Sequence, residues 1–326
     1  METELNQQSN GSEPRVFQEI KDSVHKRIIG QEVLIDRILI ALLADGHVLL
    51  EGVPGLAKTR TLLAITESIE AKMARIQFTP DLLPSDIIGT EVYQPQTGSF
   101  STRTGPIFTN LLLADEINRA PAKVQSALLQ AMQERAVTIG HETYTLPSPF
   151  MVLATQNPIE QEGTYTLPEA QVDRFLMKVV VKYPSFDEEI KIINLDSPQN
   201  DASAPLKKVI TTEDIPKYRK EMQTVYADEK IDRYIVSLVH ATRTPNAYGL
   251  EGMVEWGASP RASIALKQCA RAHAYLRGND FISPDDVKAL APDVLRHRIL
   301  VSFEAEARGV TSDDIITTLL DSIAVP

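Results

Sequence analysis

Short apolar runs alternate with amphipathic stretches through the first half of the chain, and only amphipathic stretches continue through the second half. His47-Val48-Leu49-Leu50, Leu111-Leu112-Leu113-Ala114, residues 150–155 and residues 175–181 are such runs, and residues 73–78 read as a further strand. Apolar residues in unbroken series suit parallel strands covered on both faces. Between the runs lie helical patterns. Residues 60–65 follow the first run, and residues 121–136 place Val124, Leu128, Ala131 and Met132 on one face, with Pro121 suited to the first turn. Strands separated by helices predict a three-layer α/β domain around a parallel sheet, ending near Tyr183-Pro184.

Past that point the periodicity is helical throughout. Ser185 precedes Asp187-Glu188-Glu189 as a helix start, and residues 197–204 read as a polar loop. Residues 228–243 are apolar at Ile231, Ile235, Leu238 and Val239. Ser259-Pro260 and Ser283-Pro284-Asp285-Asp286 both read as cap, proline and first turn. The predicted organisation is a loose tail over 1–15, an α/β core over 16–184, and a smaller all-α unit over 185–326. Two hairpins interrupt the core. Residues 87–100 read as a hairpin inserted in a helix, and residues 137–144 carry a Gly140-His141 loop suited to a type II′ turn.

Composition narrows the class. The chain has 326 residues, enough for two cores, with 43% hydrophobic and 24% charged residues, as in ordinary globular proteins. No run approaches the roughly 18 apolar residues of a membrane span, so no membrane insertion is expected. The opening residues are polar and lack a signal-peptide core, which leads to the expectation of a cytoplasmic protein. A single cysteine, Cys269, excludes intrachain disulfides, and the six histidines lack ligand spacing for zinc. A net charge of −11 repels a phosphate backbone, which makes nucleic acid an unlikely partner and favours a protein.

The chemistry concentrates at two strand ends. Gly52-Val53-Pro54-Gly55-Leu56-Ala57-Lys58-Thr59 sits between a strand and a helix, the setting in which glycines let backbone N–H groups close around phosphate oxygens. Lys58 is placed to reach the β- and γ-phosphates of ATP, Thr59 to ligate Mg²⁺, and Arg60 completes the nucleotide-binding set. Ala57 departs from the usual glycine before the lysine, a position where negative φ tolerates a methyl group. Alone, this segment could be a glycine-rich connection without a ligand. The strand ending in Asp115-Glu116 supplies the second element: Asp115 for Mg²⁺, and Glu116 to polarise the attacking water.

Taken together, GVPGLAKT, LLLADEINRAP, ATQNP and QVDRF resemble the AAA+ ATPases of the MoxR group, which is similar to the magnesium-chelatase ATPase subunit and belongs to the clade with a helix-2 insert. The resemblance runs from about Ile28 to the C-terminal helices. It implies a P-loop NTPase core with a helical lid, ATP bound between them, and a ring of identical subunits, a hexamer in the family. Gly30-Gln31 match the segment passing near the adenine, and Asn157 the sensor that orients the attacking water. Arg174 matches the arginine finger given to a neighbouring subunit. Arg261 matches the second sensor, reaching the γ-phosphate from the lid of the same chain. Arg119 either faces the subunit interface or is a solvated loop charge. The implied function is hydrolysis of ATP to remodel partner proteins, often ones with a von Willebrand A domain, through movement of the lid and the adjacent subunit. The alternatives are the motor of a metal-chelatase-like complex and a nucleic-acid motor.

Overall fold

Leu49 faces one apolar layer while its neighbours Val48 and Leu50 face another. Leu112 and Ala114 likewise oppose Leu111 and Leu113, and Val152 and Ala154 oppose Met151 and Leu153. A period of two with both faces buried makes these strands the middle layer of three. The computed structural model describes residues 13–52, 58–157, 165–195 and 206–326.

In chain order, helices α1 (Glu13–His25) and α2 (Glu32–Leu43) lead to strand β1 (Val48–Glu51), helix α3 (Lys58–Ser68) and strand β2 (Met73–Gln77). A short helix α4 (Pro84–Ile88) precedes the hairpin β3 (Gly89–Gln94) and β4 (Ser99–Thr104). Then come β5 (Leu111–Asp115), α5 (Ala122–Glu134), the hairpin β6 (Ala136–Ile139) and β7 (Glu142–Thr145), β8 (Met151–Gln156), α6 (Glu169–Val172) and β9 (Met177–Val180). The helical half contains α7 (Phe186–Leu195), α8 (Ile215–Gln223), α9 (Glu229–Ala241), β10 (Val254–Trp256), α10 (Pro260–Leu276), α11 (Pro284–Leu295), β11 (Leu300–Val301), α12 (Phe303–Ala307) and α13 (Ser312–Ser322).

The five sheet strands run in the order β2-β5-β8-β1-β9, all parallel. This is the three-layer α/β architecture expected from the apolar runs. β10 and β11 add a short antiparallel ribbon to the helical half, which the helical periodicity did not contain. None of the described helices is long and apolar enough to cross a membrane.

Two boundaries differ from expectation. α1 opens at Glu13, inside the stretch read as a loose tail. Phe17, Ile20 and Val24 recur on one helical face and are fully buried, and the Phe17 ring meets Tyr218 edge-on at 5.2 Å and Tyr275 at 6.1 Å. Such burial outweighs the polar residues around it. The first hairpin follows a helix but does not interrupt one. After β4, Gly105-Pro106 ends regular structure, since proline removes a donor and a Cβ at Gly105 would overlap the Ile87 carbonyl.

The two hairpins lean on each other. Thr102 and Tyr144 share a 2.9 Å hydrogen bond, and any Cβ at Gly140 would overlap the Glu91 carboxylate. Gly140 has φ +61°, whereas His141 is not among the positive-φ residues, which is the pattern of a type II′ turn.

The helical half is fastened to the sheet at the amino end of β9. The buried Arg298 guanidinium donates to the Asp173 carboxylate at 2.7 Å and to the carbonyls of Phe175 (2.7 Å) and Leu176 (3.2 Å). Arg296 donates to the Lys178 carbonyl at 2.7 Å, and Arg37 of α2 pairs with Asp293 of α11 at 2.6 Å. One apolar cluster continues from the sheet through α1, α2 and the helices α8–α11 and α13. The two halves therefore share a core, which opposes free rotation of the lid on its own sheet.

Arg298→Ala should leave Asp173 and several carbonyls unpaired and cost about 3–5 kcal/mol. Urea denaturation measures this, and a loss below about 1 kcal/mol would contradict the clamp. A second prediction concerns acid. Burial raises the Asp286 carboxyl, but hydrogen bonds from His273 and Ser283 overcome this and hold it below its ordinary value; hydrogen bonds from Thr311 do the same for Asp314. A carboxylate with a depressed folded pKa stabilises above its unfolded value, near 4, and that contribution disappears as pH falls through the folded value. The melting temperature should decline from about pH 4 downward, and a flat profile there would count against these caps.

Candidate active site

In parallel α/β sheets, chemistry gathers at the carboxyl ends of the strands, where chain direction changes and helices present their N-termini. β8 lies between β5 and β1 here, so three chain-distant segments converge on one edge: Gly52 after β1, Asp115-Glu116 at the end of β5, and Asn157 after β8. Of the proposed phosphate cradle, Val53, Pro54, Gly55, Leu56 and Ala57 lie outside the described residues. Lys58 opens α3, and its Nζ donates to the Gly52 carbonyl at 2.7 Å. Its pKa is lowered, chiefly by burial, while Asp115 and Glu116 pull it upward. The ammonium thus sits in the field of both carboxylates, desolvated and next to a helix N-terminus. Thr59 is partly buried in the same turn, and Arg60 is exposed.

The acidic pair is held by partners that the motifs did not reveal. Thr155 Oγ1 donates to Asp115 Oδ1 at 2.6 Å and accepts from the Glu116 backbone N–H at 2.8 Å. Arg75 donates to Asp115 Oδ2 at 2.6 and 3.2 Å. Gln77 Nε2 donates to Glu116 Oε2 at 2.8 Å, and Arg119 Nε approaches the same oxygen at 3.0 Å. Arg119 therefore belongs to this cluster. Glu116 itself adopts φ 57°, ψ 52°, a left-handed conformation uncommon for a non-glycine residue and found preferentially at functional positions. Arg75 and Gln77 alternate along β2 with the period of a strand face, a polar pattern in an edge strand that could have signalled them.

Gly30 and Gln31 reach the same edge. Both have positive φ, 68° and 61°. Gln31 Nε2 lies 3.4 Å from the Lys182 carbonyl, just beyond the end of β9, and a Cβ on Gly30 would collide with the Glu188 carboxylate of α7. Asn157 is buried at the tip of β8, which lies between β5 with its acidic pair and β1 with Gly52 at its end.

Arg174 and Arg261 lie elsewhere. Leu176 donates to the carbonyl of His47, the residue before β1, so the residues preceding β9 sit at the amino ends of the strands. Arg174 donates to the Leu129 carbonyl at 3.1 Å, and Arg261 lies 3.6 Å from the Asp173 carboxylate. The two arginines line one cleft of about 200 Å³ with His47, Met132 and Gln133. The four-residue β1, spanning roughly 13 Å at ~3.3 Å per residue, separates that cleft from Gly52 and Lys58. The expected reach of Arg261 to the γ-phosphate of its own chain is therefore not made. The clamp around Asp173 fixes the start of α10 at the other end of the sheet. His47 is structural here: burial lowers its pKa to about 3, and its ring bridges the Val152 N–H and the Met132 carbonyl.

Residues 47–177 match the family model for ATPases associated with various cellular activities (AAA), and residues 247–319 match that for the AAA lid domain. The chain is 47% identical over 309 residues to Chaperone MoxR1 of Mycobacterium tuberculosis, covering 93% of this chain and 80% of that one. It is 30% identical over 321 residues to Protein MoxR of Methylorubrum extorquens, covering 93% of each. The chain belongs to the MoxR family of AAA+ ATPases. The fold agrees: a crystal structure from Cytophaga hutchinsonii, described as that of a candidate ATPase, superposes with a TM-score of 0.90 at 45% identity over 97% of this chain and 96% of that one.

ATP hydrolysis is the activity of this family, and the residues at the carboxyl edge fit a magnesium nucleotide. A desolvated lysine at a helix N-terminus suits phosphate, and a strand-end aspartate beside a threonine hydroxyl suits a hydrated hard cation. Thr155 holds both members of the MoxR-type acidic pair in register. Thr155→Val should therefore lower turnover about 10–100-fold while leaving nucleotide binding intact, the magnitude expected for an orienting partner. Steady-state ATPase kinetics beside a fluorescent-nucleotide titration would test this; parental turnover would remove Thr155 from the site.

Proposed function

We propose that the chain hydrolyses ATP, with magnesium, in a homo-oligomeric ring, and uses the released energy to remodel or activate partner proteins. The observation that carries this reading is the polarity of the sheet: Lys58, Asp115, Glu116 and Asn157 meet at one edge, and Arg174 with Arg261 lie at the other. Gly52 to Arg60, with Gly30 and Gln31, hold the nucleotide. Thr59 and Asp115 would hold magnesium, which would supply charge neutralisation on the phosphates. Glu116 accepts the proton of the attacking water, for which Gln77 and Arg119 must yield their shared oxygen, and Asn157 orients that water. Arg174 and Arg261 stabilise the charge developing on the γ-phosphoryl group of a neighbouring chain.

Since the lid shares a core with its own sheet, motion on hydrolysis falls between chains. The paired hairpins carry it to a client, and proteins with a von Willebrand A domain are the clients that the family resemblance favours. The net charge of −11 weighs against a nucleic-acid motor. The cytoplasm is the proposed compartment.

Glu116→Gln should bind ATP and retain the assembled state with turnover reduced at least 100-fold. Arg174→Ala should bind ATP normally but lose about 10³-fold or more in turnover at concentrations where the parent assembles. Calorimetry with Mg·ATP, sedimentation and phosphate release together decide the matter. Absence of any heat of binding in folded parent protein would overturn the ATPase reading.

A further inference from the structure

Gln125 is fully buried on α5, a helix whose other buried positions are all apolar. Burying a primary amide costs free energy unless its hydrogen bonds are made. Its Nε2 lies 3.1 Å from the Ala120 carbonyl and 3.2 Å from the carbonyls of Ile117 and Tyr165. All three are acceptors, so the nitrogen is the end that faces them, and its two N–H groups are shared among three oxygens. Oε1 of the same amide has no partner among the described residues. A methionine would fill the same space without that penalty; what it would not supply is the donors.

The three carbonyls belong to two segments distant in the chain. Ile117 and Ala120 bound the single turn after Glu116, the turn that also carries Arg119. Tyr165 opens the stretch that leads through α6 to Arg174. A backbone bond from the Tyr165 N–H to the Asn118 carbonyl, at 2.6 Å, joins the same two segments. α5 then holds the second segment twice more. Gln171 Nε2 lies 3.4 Å from Ser126 Oγ, and Arg174 donates to the Leu129 carbonyl. The helix leaves the carboxyl edge beside Glu116, and its Met132 carbonyl meets His47 at the amino end, so its 13 residues run the depth of the sheet, about 20 Å at ~1.5 Å per residue. Arg119 sits on the Glu116 oxygen that hydrolysis needs, so the turn must rearrange when that oxygen is released. Gln125 is the side chain that joins this turn to the segment ending in Arg174.

We infer that Gln125 is a positioning residue for hydrolysis: its amide fixes the turn that carries Arg119 and sets Glu116, and it passes a shift of that turn to the segment ending in Arg174. The inference rests on the ATPase reading and deepens it, naming how the state of the acidic pair reaches Arg174 within one chain. Continuity in space is not coupling, and coupling has a direct measure.

The test uses the full chain with Gln125→Met, which keeps the length of the side chain and removes its donors. Assayed well below its melting temperature, the variant should bind fluorescent nucleotide within about 2-fold of the parent and lose about 10–100-fold in turnover, the scale of a misplaced catalytic group. Hydrogen exchange supplies the readout that a merely structural role would not move. A non-hydrolysable ATP analogue with magnesium should change deuterium uptake over residues 165–174 in the parent and not in the variant, with uptake in β5 and β8 alike in both. Gln125→Asn, whose amide stops one methylene short, should show the same split to a smaller degree, and it decides the matter should methionine perturb folding. Parental turnover in these variants overturns the inference. So does a loss of turnover that tracks lost nucleotide binding or lost folded protein, or a segment 165–174 that responds alike in parent and variant. A parent that neither binds nor hydrolyses Mg·ATP would instead overturn the reading beneath it.

Discussion

The sheet order β2-β5-β8-β1-β9, with all strands parallel, is the constraint on which the rest depends. Parallel direction puts every carboxyl end on one edge, and the insertion of β8 between β5 and β1 brings Asn157 between Asp115 and Lys58. Neither could be achieved by an antiparallel sheet of the same residues. The cost is that both faces must be covered, and the chain meets this with α1–α3 and the lid helices on one side and α4, α5 and the β6–β7 hairpin on the other. The lid is thus a structural layer before it is a moving part. Arg298 and Arg296 make the attachment polar and specific where packing alone would allow sliding.

Within the site, electrostatic pre-organisation is built from neutral and cationic neighbours of the acidic pair. Thr155 ties Asp115 to the Glu116 backbone, while Arg75 and Gln77 from the next strand each hold one carboxylate. Such partners fix where the carboxylates point before any nucleotide arrives, which lowers the reorganisation needed during reaction. The left-handed backbone at Glu116 stands where the strand ends, with the carboxylate held by Gln77 and Arg119.

Much of this was legible in the residues. The three central strands β1, β5 and β8 announced themselves because each is apolar on both sides, and the phosphate and acidic motifs sit where strands must end. Ser259-Pro260 and Ser283-Pro284 marked helix starts because cap chemistry is local, and the structure has Ser259 and Ser283 accepting from their own first turns. Asn157 was placed by its motif, and the sheet order brings it beside the acidic pair. What the sequence did not show was direction across the molecule. Arg261 lies in a recognisable segment, but a segment does not reveal which end of the sheet its helix starts from; that is set by Arg298, an arginine in a charged-looking Arg296-His297-Arg298 run whose burial no local pattern betrays. Thr155 and Gln77 escaped notice for a related reason, since their role comes from a cross-strand register that appears only when β2, β5 and β8 are side by side.

The distance between the two ends of β1 carries a consequence for catalysis. Lys58, Asp115 and Glu116 lie at one edge and Arg174 and Arg261 at the other, so on the proposed reading a chain does not complete its own transition-state charge balance, however tightly it binds nucleotide. Catalytic power is then tied to assembly by geometry. On the proposed trans role of Arg174 and Arg261, an isolated subunit would turn over slowly without any inhibitory contact, and hydrolysis would report on the neighbour's position. Because lid and sheet share one core, a shift of the amino end of a subunit would also displace its hairpins, which lean together through Thr102 and Tyr144. The rigidity that removes hinge motion within a chain is what would let a small change at the phosphate be transmitted across it.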